Sequence, residues 1–130
     1  MATVVPVAVA IKSLTPVQQV EWTAVLLAGD GTPINVADYD DITAAFYGTF
    51  GAGGSVSLMG SNDNPAPGAL PTNWFNLTAV GGTAALTATA AGMKKANESP
   101  LWIKPMVTAG DGTTSIDCIV LLRRRNLMRY

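Results

Sequence analysis

The sequence predicts an all-β protein that folds as a single antiparallel sandwich or barrel. About seven or eight short segments rich in β-branched and aromatic residues are separated by clusters of Gly, Pro, Asp and Asn. These clusters recur every ~10–20 residues, a spacing typical of sandwiches and barrels. No long segment has the 3.6-residue periodicity of an amphipathic helix. A chain of 130 residues is long enough to bury a core of its own as one domain.

The first half of the chain is predicted to form four strands, at 3–11, 17–27, 42–50 and 55–60. Pro6 cannot donate a backbone hydrogen bond, so the first of them is predicted as an edge strand or an extended arm. Four apolar side chains of the second strand are expected to share one face: Val20, Trp22, Ala24 and Leu26. The glycines at 51–54 predict a hairpin between the third and fourth strands.

The second half is predicted to add strands at 73–78, 83–90 and 101–108 and a last strand that ends at Leu122. The proline-rich stretch 61–71 is predicted as a loop, and 93–99 as a helical turn or a loop. The last two strands form a hairpin whose Gly110-Asp111-Gly112 turn is expected to be structural. Pro105 indicates a sheet edge or a bulge. Both final strands are apolar on both faces, which predicts that both faces are covered.

Charge divides the chain into an acidic body and a basic end. Residues 1–93 carry a net charge of −5, and residues 94–130 carry +4. Such a dipolar chain could join copies of itself or dock on an acidic neighbour. The expected organisation is an N-terminal arm or edge strand at 1–11, a sandwich at 12–122 and a basic tail at 123–130. Four aromatic side chains are expected in the core: Trp22, Phe46, Trp74 and Trp102.

Composition indicates a surface that is partly reserved for a partner. Apolar residues make up 48% of the chain and charged residues only 13%, against ~25% charged in an average soluble protein. No apolar run is long enough for a membrane helix, and the N-terminus lacks the positive start of a signal peptide. Cys118 has no partner for an intrachain disulfide and is predicted to be a small buried hydrophobe.

Catalytic chemistry is almost missing from the sequence. There is no histidine, no phosphate-binding loop motif and no nucleophile elbow. The acidic residues at 38–41 lack the glycine and distal glutamate of a calcium loop, so a solvated turn is favoured. Ser61–Asn64 with Trp74 could bind a sugar or a cation, but a turn beside a core tryptophan is the favoured interpretation. We therefore expect no enzyme, no cofactor and no metal site.

Arg123, Arg124, Arg125 and Arg129 form the basic tail. Nucleic-acid binders usually spread positive charge over a whole face, whereas the body of this chain is acidic. The tail is therefore predicted either to contact an acidic protein surface or to be solvated.

Five motifs, taken in order, resemble small structural proteins encoded among the head genes of tailed bacteriophages. They are VSLMGSND (56–63), NWFNL (73–77), LTATAAG (86–92), ESPLWIKP (98–105) and GDGTT (110–114), and the match ends in Leu121-Leu122-Arg123-Arg124. The resemblance covers roughly residues 56–125. The compact Ser-Asn-Asp-Gly-x-Asn-Trp turn of those proteins is interrupted here by 64–72, and the first 50 residues match none of them.

The resemblance implies a non-enzymatic virion protein of β-sandwich or jelly-roll type. It would be a capsid decoration (cement) protein on the head exterior, in contact with the major capsid protein and with itself, often as a homotrimer. Neither nucleic acid nor a membrane is expected as a partner. The residues expected to bind the partner lie at the two chain ends: Val4, Val5, Pro6, Val7, Arg123, Arg124, Arg125 and Arg129. The alternatives are a neck, tail or fibre component, or a carbohydrate-binding module that uses the Ser61–Asn64 loop with Trp74 or Trp102.

Overall fold

The computed structural model describes residues 9–14, as backbone only, and residues 17–124. These residues form ten strands and no helix. The strands are β1 (Val9–Leu14), β2 (Val17–Leu26), β3 (Ile34–Asn35), β4 (Asp41–Thr49), β5 (Ser55–Ser61), β6 (Phe75–Asn76), β7 (Thr87–Ala88), β8 (Gly92–Lys95), β9 (Trp102–Ala109) and β10 (Ser115–Arg123).

The strands form two antiparallel sheets with the core between them. Sheet one has the order β1-β2-β10-β4-β8, and sheet two has the order β3-β9-β5-β6, with β7 also paired to β5. Buried residues of both sheets form one hydrophobic cluster. The prediction of an all-β antiparallel sandwich is therefore confirmed. The predicted N-terminal arm lies mostly outside the described residues, and its last three residues belong to β1, the edge strand of sheet one.

Strand β10 lies at the centre of sheet one and contributes to the core at every second residue. Its side chains that point into the core are Ile116, Cys118, Val120 and Leu122, all fully buried. Full burial of one such aliphatic side chain contributes roughly 1.5–3 kcal/mol. Cys118 is a buried small hydrophobe, as predicted, and burial raises the pKa of its thiol. The intervening Ile119 and Leu121 point outward and are only half-buried.

The predicted common face of β2 is wrong in its second half, because the strand carries a bulge. Two β2 residues, Thr23 and Ala24, lie opposite the single residue Asp117 of β10. Ala24 has a positive φ of 58°, and its N–H donates to Asp117 Oδ1 at 2.8 Å. The extra residue reverses the alternation, so that Val25 is buried. Ala24 and Leu26 are exposed instead of sharing the core face of Trp22.

Two of the four aromatic residues expected in the core lie outside it. Trp22 and Phe46 are fully buried, as predicted, whereas Trp74 and Trp102 are only partly buried. Strand β9 turns Ile103, Pro105 and Val107 toward the core. Trp102 therefore points to the outer face of sheet two, because neighbouring residues of a strand alternate between faces.

The shortest strands differ most from the sequence-based prediction. Within the segment predicted at 73–78 only Phe75–Asn76 form a strand, and within the segment at 83–90 only Thr87–Ala88 do. Thr78 and Ala85 add an isolated bridge between the two segments. Residues 92–95 form the edge strand β8 instead of a helical turn or loop. All four β8 residues are exposed, so the segment lacks the apolar alternation that indicates a strand. Its pairing with β4 holds it in place.

Pro105 occupies an inner strand whose outer side is only partly paired. It lies opposite Leu58 of β5, whose N–H and carbonyl bond to the β6–β7 side of the sheet. The backbone N and O of Pro105 therefore point away from β5, toward the segment before β3. The Pro105 carbonyl accepts a hydrogen bond from Gly31 N–H in that segment at 2.8 Å. The missing donor thus costs no bond in the β5–β9 ladder. Strand β9 does carry a bulge, but it is at Thr108, near the end of the strand, and not at Pro105.

Asp111 joins the two hairpin turns at one end of the sandwich. Its carboxylate accepts from Ala52 N–H at 2.8 Å, in the β4–β5 turn, and from Thr113 N–H and Oγ1 at 2.8 and 2.6 Å. Thr114 Oγ1 adds a bond to Phe50 O at 2.8 Å. The Gly110-Asp111-Gly112 turn therefore has the structural role that was predicted. These donors, Thr113 Oγ1 foremost, lower the pKa of Asp111 from 3.8 to about 2.

We expect the stability that Asp111 contributes to disappear in acid. Because its pKa is lower in the folded than in the unfolded chain, its contribution is present above about pH 4 and is lost as the pH falls toward about 2. The melting temperatures of wild type and Asp111→Asn should therefore differ at pH 6 and converge near pH 2, as measured by circular dichroism. Asp38→Asn, at an exposed loop position, is the control. A difference independent of pH would contradict the assignment.

Candidate functional site

The described base of the C-terminal tail forms a charged cleft at one end of the sandwich. We call it the tail cleft, and it encloses about 290 Å³ between Asp40, Asp41, Lys95, Arg123 and Arg124. Arg123 is the last residue of β10 and lies opposite Asp41 of β4. The Arg124 guanidinium lies 5.7 Å from the centre of the Tyr39 ring, within the range of a cation–π contact. The tail therefore leaves the sandwich from a fixed position.

Backbone hydrogen bonds and an exposed ion pair connect residues of the tail cleft. Asp40 N–H donates to Arg123 O at 3.2 Å, and Ser99 Oγ donates to Asp40 O at 3.1 Å. Lys95 Nζ lies 3.6 Å from Asp41 Oδ1, with both side chains substantially exposed, so this pair contributes little stability. The cleft lining has three cations and two anions. Such a site can bind a charged protein surface.

The structure places only part of the predicted partner-binding set. Arg123 and Arg124 are in the tail cleft, while Val4, Val5, Pro6, Val7, Arg125 and Arg129 lie outside the described residues. β1 begins at Val9, opposite Trp22, and β10 ends at Arg123, opposite Val17. These two β2 positions are five residues apart in register, roughly 17 Å along the strand. The described starts of the two arms are therefore not adjacent.

An apolar outer face on sheet one is a further candidate surface, which the sequence analysis did not identify. We call it the sheet-one face, and it consists of Ala45, Tyr47, Met93, Ile119 and Leu121. Ile119, Ala45 and Met93 are direct cross-strand neighbours on β10, β4 and β8. Met93 is 70% and Tyr47 39% exposed. The apolar alternation of β10 predicted covering on both sides, and among the described residues only the core side is covered.

Acidic side chains border this face on the β2 side. Tyr47 Oη donates to Glu21 Oε2 at 3.2 Å, and Asp117 lies opposite Tyr47 in the β4–β10 register. Partial desolvation raises the pKa of Tyr47, and Glu21 adds to the rise. The tyrosine is therefore a neutral donor at physiological pH, and its ring remains available for contact.

A second cleft lies where β5 ends, close to the end of the sandwich that carries the tail cleft. We call it the Phe75 cleft. Its volume is about 330 Å³, and its lining residues are Gly60, Ser61, Asn62, Asp63, Phe75, Asn76, Leu77, Glu98, Ser99 and Pro100. It includes the Ser61–Asp63 part of the loop that the sequence analysis considered for sugar or cation binding. Its aromatic residue is Phe75, which is 69% exposed, rather than Trp74.

The two carboxylates of the Phe75 cleft are fixed by protein donors. Asp63 Oδ2 accepts from the N–H groups of Thr72 and Asn73, both at 2.9 Å, and these backbone bonds lower the pKa of Asp63. Burial acts to raise the pKa of Glu98, but the hydroxyl and N–H of Thr78 outweigh it and the net shift is downward. Both groups are therefore ionised at neutral pH and act as acceptors rather than proton donors.

Trp74 is engaged within the protein. Lys104 Nζ lies 4.6 Å from the centre of its ring, and Trp74 Nε1 donates to Pro71 O at 3.1 Å. Lys104 also forms an ion pair with Asp30 at 2.8 Å. Neither a fully buried Trp74 nor an open Trp74 platform is found. The tryptophan instead covers a cation on the outer face of sheet two.

Within 9–14 and 17–124, no cluster of His, Cys, Asp and Glu is arranged to hold a metal ion. The described part of the chain also contains no helix that is long and apolar enough to cross a membrane. Searches against protein-family models, curated proteins and solved structures found no match to this chain.

Proposed function

We propose that this chain is a non-enzymatic structural protein of a tailed-phage virion, which decorates the outer surface of the head and stabilises contacts between major capsid subunits. The observation that carries this proposal is the sheet-one face. Residues from both sheets already fill the core. Apolar side chains on the outside of such a sandwich gain from burial only when a partner covers them.

The extent of the sheet-one face indicates that it acts together with other contacts. A stable protein–protein interface buries ~800 Å² on each partner, usually from 20 or more residues. The five side chains of the sheet-one face supply only part of such an area. We propose that the N-terminal arm, the basic tail and contacts between copies in a homotrimer supply the rest. Many weak contacts of this kind suit a protein that works by covering subunit boundaries.

The tail contributes charge rather than area. Arg124 is held beside Tyr39, and the residues beyond it add Arg125 and Arg129. Attraction of these charges to an acidic capsid surface accelerates association and weakens as salt is added. The tail therefore tethers the protein, and the sheet-one face supplies the desolvated contact.

The remaining chemistry supports a binding role over a catalytic one. The sequence contains no histidine. The carboxylates of the Phe75 cleft have lowered pKa values. A glycoside hydrolase requires one carboxyl group with a raised pKa as its general acid. A binding protein has no such requirement.

Introducing a charged side chain into the sheet-one face should weaken binding of the protein to the capsid. Ile119→Lys and Met93→Lys should each lower capsid occupancy at least tenfold, because a buried unpaired charge costs more than the ~1.4 kcal/mol that a tenfold change represents. Heads of the encoding phage, assembled without this protein, would be mixed with purified variants, and bound copies counted by quantitative mass spectrometry. Leu70→Lys, at an exposed apolar loop residue, is the matched control. Equal occupancy for Ile119→Lys and Leu70→Lys would contradict the proposed contact.

The same assay separates the tail from the face. Deleting residues 125–130 should lower occupancy mainly at low salt and leave the melting temperature unchanged, because β10 and the tail cleft stay intact.

Copy number in native virions tests the location of the protein: a number on the order of hundreds indicates decoration, whereas about six or twelve indicates a neck or tail component with closed symmetry.

A further inference from the structure

We propose that the Phe75 cleft binds a neutral carbohydrate, with Phe75 as the stacking platform and the amides of Asn62 and Asn76 as hydrogen-bonding groups. This activity goes beyond capsid binding and uses a different surface from the sheet-one face. It would give the virion surface affinity for glycans.

The first argument is the position of Phe75. A phenylalanine that is 69% exposed on a short strand contributes little to the core and leaves its ring at the mouth of a cleft. Aromatic faces carry partial negative charge and attract the C–H groups on one side of a pyranose ring. The adjacent Trp74 already contacts Lys104, which leaves Phe75 as the aromatic ring of this cleft.

The second argument is the rigid floor beneath the ring. Gly60 packs so closely that an added Cβ would lie 2.7 Å from Leu77 Cδ2 and 2.8 Å from Pro100 Cγ. Leu77 is buried, and its N–H and carbonyl are both bonded, to Leu58 and Leu86. A preformed floor lowers the entropy cost of binding a small ligand.

The third argument is the pattern of hydrogen-bonding groups. Asn62 Oδ1 accepts from Leu101 N–H at 3.2 Å, which fixes the side chain and leaves its NH₂ group for a ligand. Asn76 is exposed, and no bond of its side chain is found within the described residues. An amide both donates and accepts, which suits the hydroxyl groups of a sugar.

Charge selects the class of sugar. Asp63 and Glu98 are ionised groups that can accept a hydrogen bond from a sugar hydroxyl group, and the cleft lining contains no Lys or Arg. Acidic sugars would be repelled by these carboxylates. A volume of about 330 Å³ lies at the lower end of the range for small-ligand sites and fits a mono- or disaccharide.

The test is a titration of the isotope-labelled full-length chain, followed by amide NMR. The probes are glucose, galactose, mannose, N-acetylglucosamine and lactose, with sialic acid and glucuronic acid as acidic counterparts. At least one neutral sugar should shift the signals of 60–63, 75–77 and 98–100, and the acidic sugars should bind at least tenfold more weakly. Phe75→Ala should reduce affinity at least tenfold, and Asn76→Ala about fivefold.

Leu70→Ala is the control, since it removes an exposed apolar side chain outside the cleft. Phe75→Ala should also keep its melting temperature and its capsid occupancy, which separates this inference from the capsid-binding proposal. The inference is overturned if no neutral sugar shifts the cleft signals at tens of millimolar, or if binding survives Phe75→Ala. Shifts confined to Trp74 and Trp102 would place the sugar on the outer face of sheet two and would equally overturn it.

Discussion

Replacement of Trp22 by alanine should destabilise the domain by about 3–5 kcal/mol, the range for removing a large aromatic side chain from a core. Trp22 is fully buried, and its Nε1 donates to Thr32 O at 2.9 Å. The loop that follows β2 packs directly on the ring: a Cβ at Gly31 would lie 2.3 Å from Trp22 Cδ1. The substitution therefore opens a cavity and also removes the support of this loop.

Urea denaturation measures the effect, and Trp102→Ala is the matched control. Trp102 is only partly buried, on the outer face of sheet two, so its removal should cost about 1 kcal/mol. Natural domains have only ~5–15 kcal/mol of stability, so Trp22→Ala could be too unstable for a full curve. Trp22→Phe keeps most of the packing and should show an intermediate loss. Equal losses for Trp22→Ala and Trp102→Ala would contradict the assignment of these two residues to core and surface.

Breaking the Lys104–Asp30 pair should give the next largest loss of stability, about 2–3 kcal/mol for Asp30→Asn. The two charged atoms are 2.8 Å apart, and the side chains are only 13% and 16% exposed. Removing one partner leaves the other charge poorly solvated, which costs 3–5 kcal/mol when burial is complete and somewhat less here. Trp74, 4.6 Å from Lys104 Nζ, retains part of the stabilisation of that cation.

A double-mutant cycle distinguishes this pair from an exposed one. Asp30→Asn with Lys104→Met should cost less than the sum of the two single changes, because the double variant leaves no unpaired charge. Lys95→Met breaks the exposed Lys95–Asp41 pair and should change stability by no more than ~0.5 kcal/mol. Strict additivity of the two single changes at positions 30 and 104 would show that the ion pair contributes nothing to folding.

The long strands were predictable because their pattern is local. Both ends of β4, β5 and β9 lie within one residue of the predicted bounds, since alternating apolar side chains and glycine-containing turns mark these strands in the sequence. Strand β8 could not be predicted in this way, because all four of its residues are exposed. Its strand conformation depends on bonds to β4, a partner about 50 residues earlier in the chain.

The candidate sites also divide into those marked by a local sequence pattern and those formed by distant segments. Arg123 and Arg124 could be identified directly, because a run of like charges is visible in the sequence. The Phe75 cleft combines 60–63, 75–77 and 98–100, and no local pattern links these three segments. The sheet-one face combines one or two residues from each of β4, β8 and β10, so it exists only once the register of these strands is set.

The sequence by itself determined the fold class, the main strands, the charged end and the burial of Trp22 and Cys118, because hydrophobic period and turn chemistry act over a few neighbouring residues. Only the tertiary structure decided which face of β9, and of the second half of β2, meets the core. Asp117 of β10 stabilises the bulge that turns Leu26 outward, and the opposing sheet selects Ile103, Pro105 and Val107 over Trp102. Both faces of such strands carry apolar residues, so burial depends on contacts between segments far apart in the chain.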